Sequence, residues 1–297
     1  MTKNDTLSAP KGGKFHRSGW VSSSARYPSS DPADETAGVR YPAVAGAFYP
    51  TGKSALEKMV ERFLAEGKKS APQIRGKIKV IIAPHAGYVY SGKVAGAAFS
   101  LLQNSKAKKI LLIGPSHFEA FDGIALSPAK EWLTPLGPVP LLDSRKFEAD
   151  GIAESDEAHL REHCLEVELP FLQKTLSGFS VLPMLTGNVR HKEVAEKISG
   201  ILGSFDLVVA SSDLSHYYDY ETANRLDAIA NKAIPNLDVK TAEEKVEACG
   251  KTGILATMLL AKKFGWKGKF IAYNNSGDTA GNKAEVVGYG AYAFVEE

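Results

Sequence analysis

Residues 77–87 read Lys-Ile-Lys-Val-Ile-Ile-Ala-Pro-His-Ala-Gly, an apolar run that stops abruptly at a proline, a histidine and a glycine. A Val/Ile run without polar alternation is the pattern of a strand covered on both faces, as at the centre of a parallel sheet. His85 then stands just beyond the strand's carboxyl end. In open α/β sheets that rim is where ligands collect.

The same design recurs twice. Residues 109–117, Lys-Ile-Leu-Leu-Ile-Gly-Pro-Ser-His, form a second buried strand followed by a Gly/Pro turn and a histidine. Residues 206–213, Asp-Leu-Val-Val-Ala-Ser-Ser-Asp, form a third and are followed by Leu-Ser-His216. Asp213 and His216 are three apart, so one turn of helix or loop can point both into one cleft. Further strands are expected at 123–127, 180–186, 269–275 and 285–294.

Helices are expected between them. Ser54 followed by Glu57 is a capping-box pattern, and Leu56, Met59, Val60, Phe63 and Leu64 recur at helical spacing, which predicts a surface helix over 54–67. Other helical stretches are 94–102, 192–202, 221–233, 241–247 and 252–264, with a weakly helical stretch at 144–153. The Pro-rich residues 132–140 read as a loop or edge hairpin. Residues 162–173 look like a helix start with Leu165, Leu169 and Leu172 on one face and His163, Glu166 and Pro170 on another. Alternating strands and helices of these lengths define an α/β protein.

Composition narrows the partners. Lys+Arg 36 against Asp+Glu 34 leaves a formal charge of +2, too balanced to make nucleic acid or an anionic membrane the main partner. No run is long and apolar enough to span a bilayer, and no apolar signal opens the chain, so a cytoplasmic location is expected. Cys164 and Cys249 are too few for a disulfide framework and are expected as thiols. Residues 1–38, rich in Ser, Gly, Pro and Lys, read as a flexible leader in which His16 and Trp20 are incidental, with one α/β domain at 39–297.

His85, His117 and the Asp213/His216 pair therefore share strand-end positions. Two imidazoles and a third protein ligand are the usual minimum for a metal site that keeps a position open. Asp213, His216, Cys249 and Glu166 are all candidates for that third ligand, and composition does not rank them. Cys249 by its spacing alone reads as a small buried residue before a glycine. His163 and Glu166 also fit a solvated first helical turn, Cys164 fits packing, and His159 and His191 read as surface residues. A metal-free alternative makes His216 a general base oriented by Asp213. No Gly-x-Ser-x-Gly elbow is present, Ser116 lacks the flanking glycines of one, and no dinucleotide fingerprint or Walker loop supports a nucleotide cofactor.

Five motifs in order, Ala-Gly-Ala-Phe-Tyr-Pro (45–50), Pro-His-Ala-Gly-Tyr (84–88), Gly-Pro-Ser-His (114–117), Glu-His-Cys-Leu-Glu-Val-Glu-Leu-Pro (162–170) and Ser-Ser-Asp-Leu-Ser-His (211–216), resemble the Memo family. Its prokaryotic members are called AmmeMemoRadiSam system protein B. The resemblance runs from about residue 40 to the end. It implies a three-layer α/β/α sandwich with a mixed, largely parallel sheet, similar to the class III extradiol dioxygenases, in which two histidines and a carboxylate hold a non-haem iron. Matched motif by motif, it implies His85, His117 and Cys249 as metal ligands, and His163, Asp213 and His216 as catalytic groups lining the same pocket. Cys249 stands where the dioxygenases carry a glutamate. A thiolate is softer than a carboxylate, which favours copper(I), zinc or a differently tuned iron over catechol ring cleavage.

The function implied is a metal-binding protein with iron or copper first and zinc third, acting as an oxidoreductase. The alternative is a non-catalytic module that uses the pocket for a peptide or small anion. Memo proteins have been linked to copper-dependent redox chemistry and iron binding, and in animals to cell motility through phosphopeptide partners. The resemblance also implies a pathway link to a radical SAM enzyme and an AMMECR-type protein.

Overall fold

The computed structural model describes residues 38–279 and 281–297. Apart from Gly38, the leader expected at 1–38, with His16 and Trp20, lies outside the described residues. In chain order the elements begin with β1 (Val39–Arg40), α1 (Lys53–Ser70), β2 (Lys77–Ala83), α2 (Tyr88–Ser100) and β3 (Lys109–Pro115). Three short strands follow, β4 (Ile124–Leu126), β5 (Glu131–Thr134) and β6 (Gly137–Pro140), then β7 (Ile152–Glu154), α3 (Asp156–Leu160) and α4 (Leu169–Thr175). Next come β8 (Ser180–Thr186), α5 (His191–Ile201), β9 (Leu207–Ser211), β10 (His216–Tyr218), α6 (Tyr220–Ala233) and α7 (Val239–Lys245). The chain closes with α8 (Lys251–Phe264), β11 (Lys267–Asn275), α9 (Ser276–Thr279) and β12 (Val286–Glu296).

The main sheet has the order β10-β12-β2-β9-β3-β8-β4-β7, with β11 paired to β12 outside that path. Its centre, β2-β9-β3-β8, is parallel and in register, so that Val80, Val208, Leu111 and Leu182 lie in one row. Antiparallel pairing appears where β12 meets β2 and where β4 meets β8. The central strands are buried along most of their length because each alternate residue faces a different helical layer. Ile81, Ile110, Leu112, Val181 and Val209 pack towards α1, α2 and α4. Val80, Ile82, Leu111, Leu182 and Val208 pack towards α5 and α8. The result is the three-layer α/β/α sandwich with a mixed sheet. The Pro-rich 132–140 stretch is the β5-β6 hairpin, extended by β1 into a separate small sheet.

Several local expectations need correction. The first helix starts at Lys53 with Gly52 as its cap, and no side chain caps it, so Ser54 and Glu57 do not form the expected box. The second begins at Tyr88, six residues before the expected start, directly behind the His85 turn. Residues 144–153 hold a single 3-10 turn and then β7, because the turn at Gly151 (φ 69°) folds Ile152 back against Ala149. Around residue 162 the expected helix is delayed to a 3-10 turn at Glu166–Glu168 and then α4. Residues 161–165 stay irregular so that Glu162 can turn its carboxylate onto backbone N–H groups.

Candidate metal centre

Strand order assembles the centre. Because β9 lies between β2 and β3, the segments that follow these three strands emerge side by side at the carboxyl rim, bringing His85, Asp213 and His117 together. The irregular 161–165 segment adds His163 from the side. Ring centroids of His85 and His117 are 5.2 Å apart, of His85 and His163 5.4 Å, and of His117 and His163 4.8 Å. One nitrogen from each of the three rings lies within 4.8 Å of the other two. His163 is also packed against Phe48 and Phe118, at centroid distances of 4.8 and 5.9 Å.

Hydrogen bonds fix which nitrogen the His117 and His85 rings offer. His117 Nδ1 donates to Glu162 Oε1 at 2.9 Å, and a carboxylate only accepts, so the free lone pair is on Nε2. His163 Nδ1 lies 3.3 Å from the same oxygen. His85 Nδ1 lies 2.9 Å from Ser211 Oγ. That hydroxyl is also 2.7 Å from Cys164 O and from Glu168 Oε1, so its one proton is engaged there and its lone pair accepts from His85. Oxygen partners on Nδ1 and open Nε2 atoms are the arrangement that orients imidazoles for a metal. Burial, reinforced for His85 by the neighbouring His117, pushes His85 down to about 3. Burial and then His85 push His163 down to about 4. Both rings are neutral at pH 7 and their lone pairs are available, as metal ligation requires.

Glu162 is the hub of this arrangement. Its two oxygens accept from the backbone N–H groups of His117, His163 and Cys164 as well as from the His117 ring. Burial alone would raise its pKa, but the His117 ring, its charge and these amides outweigh that and hold it at about 2. Among the described residues a second group with ligand-like spacing is His117, Glu162 and Cys164. Glu162 is already saturated, and the Cys164 thiol points to Pro115 O at 3.2 Å, so this group is a support for the first.

Of the other expected residues, Cys249 and Asp213 adjoin His85. Cys249 Sγ is 3.3 Å from His85 Nε2 and accepts from the Asp213 N–H at 3.3 Å. Burial, followed by the Asp213 charge, pushes this thiol up to about 12, so its proton must leave before the sulfur can ligate. Asp213 Oδ1 accepts from the His85 N–H at 2.8 Å, tying the two strand ends together. Burial raises its carboxyl to about 6. His216 Nδ1 donates to Leu214 O at 2.7 Å, since a carbonyl cannot donate, so Nε2 is the ring nitrogen left to exchange a proton.

A cavity of about 640 Å³ opens beside the centre, lined by His117, Phe118, Phe121, Asn188, Cys249 and Thr252 among others. Donor chemistry and space together fit a transition-metal ion: three imidazoles within reach, a thiol next to one of them, and room for a further ligand.

Three sequence readings change here. Glu166 is no solvated helical residue: it is fully buried, pairs with Arg40 at 2.9 Å and accepts from Ala43 N, Val44 N and Tyr49 Oη, so it is committed away from any metal. His159 is no surface residue either. It is fully buried, its Nε2 sits 3.1 Å from Ala125 O, and burial pushes it down to about 3. His191 is half-buried, 3.9 Å from Glu243. Sequence reasoning missed Glu162 and Ser211 altogether. Glu162 stood inside the quoted 162–170 motif, but nothing in its spacing ties it to His117, 45 residues away.

The fold and the centre define a class: an α/β/α protein with a histidine-rich, metal-competent site at the carboxyl rim of its sheet. The family described as Memo-like protein matches residues 40–293. The chain is 35% identical over 270 residues to the MEMO1 family protein Ta0237 of Thermoplasma acidophilum, covering 86% of this chain and 98% of that protein. It is 36% identical to MEMO1 family proteins of Archaeoglobus fulgidus and Aquifex aeolicus, in each case over 86% of this chain and 99% of the relative. This chain belongs to the Memo family.

Proposed function

We propose that this chain is a metal-binding oxidoreductase, with the ion held by His85, His117 and His163 and with Cys249 as the donor that joins by losing its thiol proton. The observation that carries the reading is the convergence of three imidazoles whose Nδ1 atoms each face a protein oxygen. Imidazole nitrogens suit iron, copper and zinc alike, and sulfur from Cys249 shifts preference towards copper(I) or zinc. When bound, such an ion supplies Lewis acidity or electron transfer at an open position.

The chain's own residues do the rest. Glu162 and Ser211 hold the His117 and His85 rings in their ligating tautomers. Asp213 fixes the His85 backbone. His216, its Nδ1 tied to Leu214 O, is assigned the movement of protons. The motif likeness to extradiol dioxygenases, the cytoplasmic location, and partnership with a radical SAM enzyme and an AMMECR-type protein belong to the same proposal.

The test is elemental analysis of purified protein against His85→Ala/His117→Ala. The reading expects near-stoichiometric metal in the wild type and loss of most of it in the variant. Equal metal in both would sink it. With iron or copper restored, His216→Ala is expected to keep its metal and lose oxygen consumption. Saturable binding of a peptide or small anion by metal-free protein, without turnover, would favour the module instead.

A further inference from the structure

The residues that order the centre, Glu162 and His163, lie in a stretch with no regular secondary structure, so something other than a helix or strand must hold it. The backbone carbonyls of such a stretch need partners when buried. Arg40 provides them. Its guanidinium is 2% exposed, and it donates Nε to His159 O at 2.8 Å and Nη2 to Glu162 O at 2.5 Å. Nη1 donates to Glu166 Oε2 at 2.9 Å, and the guanidinium carbon stands 4.2 Å from the centroid of the Trp132 ring.

One planar group thus grips both ends of the segment 159–166. A flexible ammonium could not make three such bonds in fixed directions, whereas the rigid guanidinium fork can. A buried ion pair is a poor source of net stability, because desolvating both charges offsets their attraction, and it is better suited to fixing one arrangement. Glu166 completes the grip by accepting from Ala43 N, Val44 N and Tyr49 Oη, which fastens the segment that follows β1 to the same loop.

We infer that Arg40 is a positioning residue for the metal centre: it touches none of the three imidazoles, and sets the place of Glu162 and His163 by holding the His159 carbonyl before them, the Glu162 carbonyl itself and the Glu166 carboxylate after them. This rests on the reading of the centre as a metal site, and the experiment separates the two.

The variant is Arg40→Lys, which keeps the charge and removes the fork. Its companion is Ile198→Ala, which opens a cavity in the opposite helical layer and serves as a control for lost stability. For each protein, zinc affinity is measured by competition with a chromophoric chelator. The ring proton on His117 Nδ1 is followed by nitrogen-edited NMR at pH 7.5 without metal. The inference expects Arg40→Lys to lose roughly tenfold in zinc affinity, the lower edge for outer partners of metal ligands, and to broaden or shift the His117 proton. Ile198→Ala is expected to keep both at a matched melting temperature.

Wild-type values in Arg40→Lys, or equal losses in Ile198→Ala, would overturn it. If the wild type takes up no zinc, the metal reading fails separately, and the His117 proton still decides: unchanged in Arg40→Lys, it overturns the positioning role. Should Arg40→Lys not fold, Glu166→Gln replaces it, with a smaller change in the same direction expected and no change counting against the inference.

Discussion

Glu162 takes three backbone amides and one ring N–H on two buried oxygens. Glutamine in its place keeps the shape but turns an N–H₂ towards donors. Glu162→Gln is therefore expected to fold and to lose between ten- and a hundredfold in metal affinity, the range seen when a ligand's hydrogen-bond partner is removed. Competitive metal titration checks it, and unchanged affinity would remove Glu162 from the account.

Protonation follows at the same scale. His85, His159 and His163 are held neutral by burial, at about 3, 3 and 4, while the unfolded chain protonates histidine near the ordinary 6.5. Their contribution is full above about pH 6.5 and is lost as pH falls to about 4 for His163 and about 3 for His85 and His159. Asp213 at about 6 and Glu168, raised well up, run the other way: their contribution is present below the ordinary carboxylate range and is lost as pH rises. His191, also lowered by burial, joins the first set and Asp227, raised by burial, the second; four histidines against three carboxyls leave the metal-free protein expected to unfold at lower denaturant at pH 5 than at pH 7. An equal or higher midpoint at pH 5 would contradict these assignments.

Residues were legible where a strand announced them. His85, His117 and Asp213 each end a buried apolar run, and that position carries its own signal. Glu162, Ser211 and Arg40 act across 45 to 126 residues of sequence, through contacts that exist only once the sheet has formed.

At the scale of elements, α1 and α2 touch through backbone. A Cβ on Gly96 would sit 2.4 Å from Phe63 O, and one on Gly67 2.4 Å from Gly96 O. Gly96→Ala must therefore push the helices apart, at a cost of about 1–3 kcal/mol, as overpacking usually does. Urea denaturation reads that loss. Metal affinity is expected to hold, because Gly96 lies beyond the second turn of α2 from the His85 loop.

Periodicity located nearly every long helix and strand to within a few residues. It failed at 162–173, where Leu165, Leu169 and Leu172 are buried as a helical face would be, yet the chain is irregular until residue 166. The hydrogen bonds of one carboxylate override helical preference there. It failed also at Ser54 and Glu57, whose capping pattern is unused because the helix had already begun at Lys53.

At the scale of the whole molecule, the decisive fact is strand order. β2 and β3 are not neighbours: β9, nearly a hundred residues later in the chain, is inserted between them and pairs in parallel with both. That insertion places Asp213 between the two histidine-bearing strand ends and Cys249 against His85. The sequence showed three strands of one design but carried no order for them, since parallel pairing depends on crossovers rather than local turns.

The recurrence that began at His85 thus ends as a shared centre, and X-ray absorption of the zinc-loaded protein interrogates it most directly. The account predicts a nitrogen shell at about 2.0–2.1 Å with the outer scattering of at least two imidazoles, and sulfur at about 2.3 Å if Cys249 has joined. A shell of oxygen alone, without imidazole scattering, would contradict it.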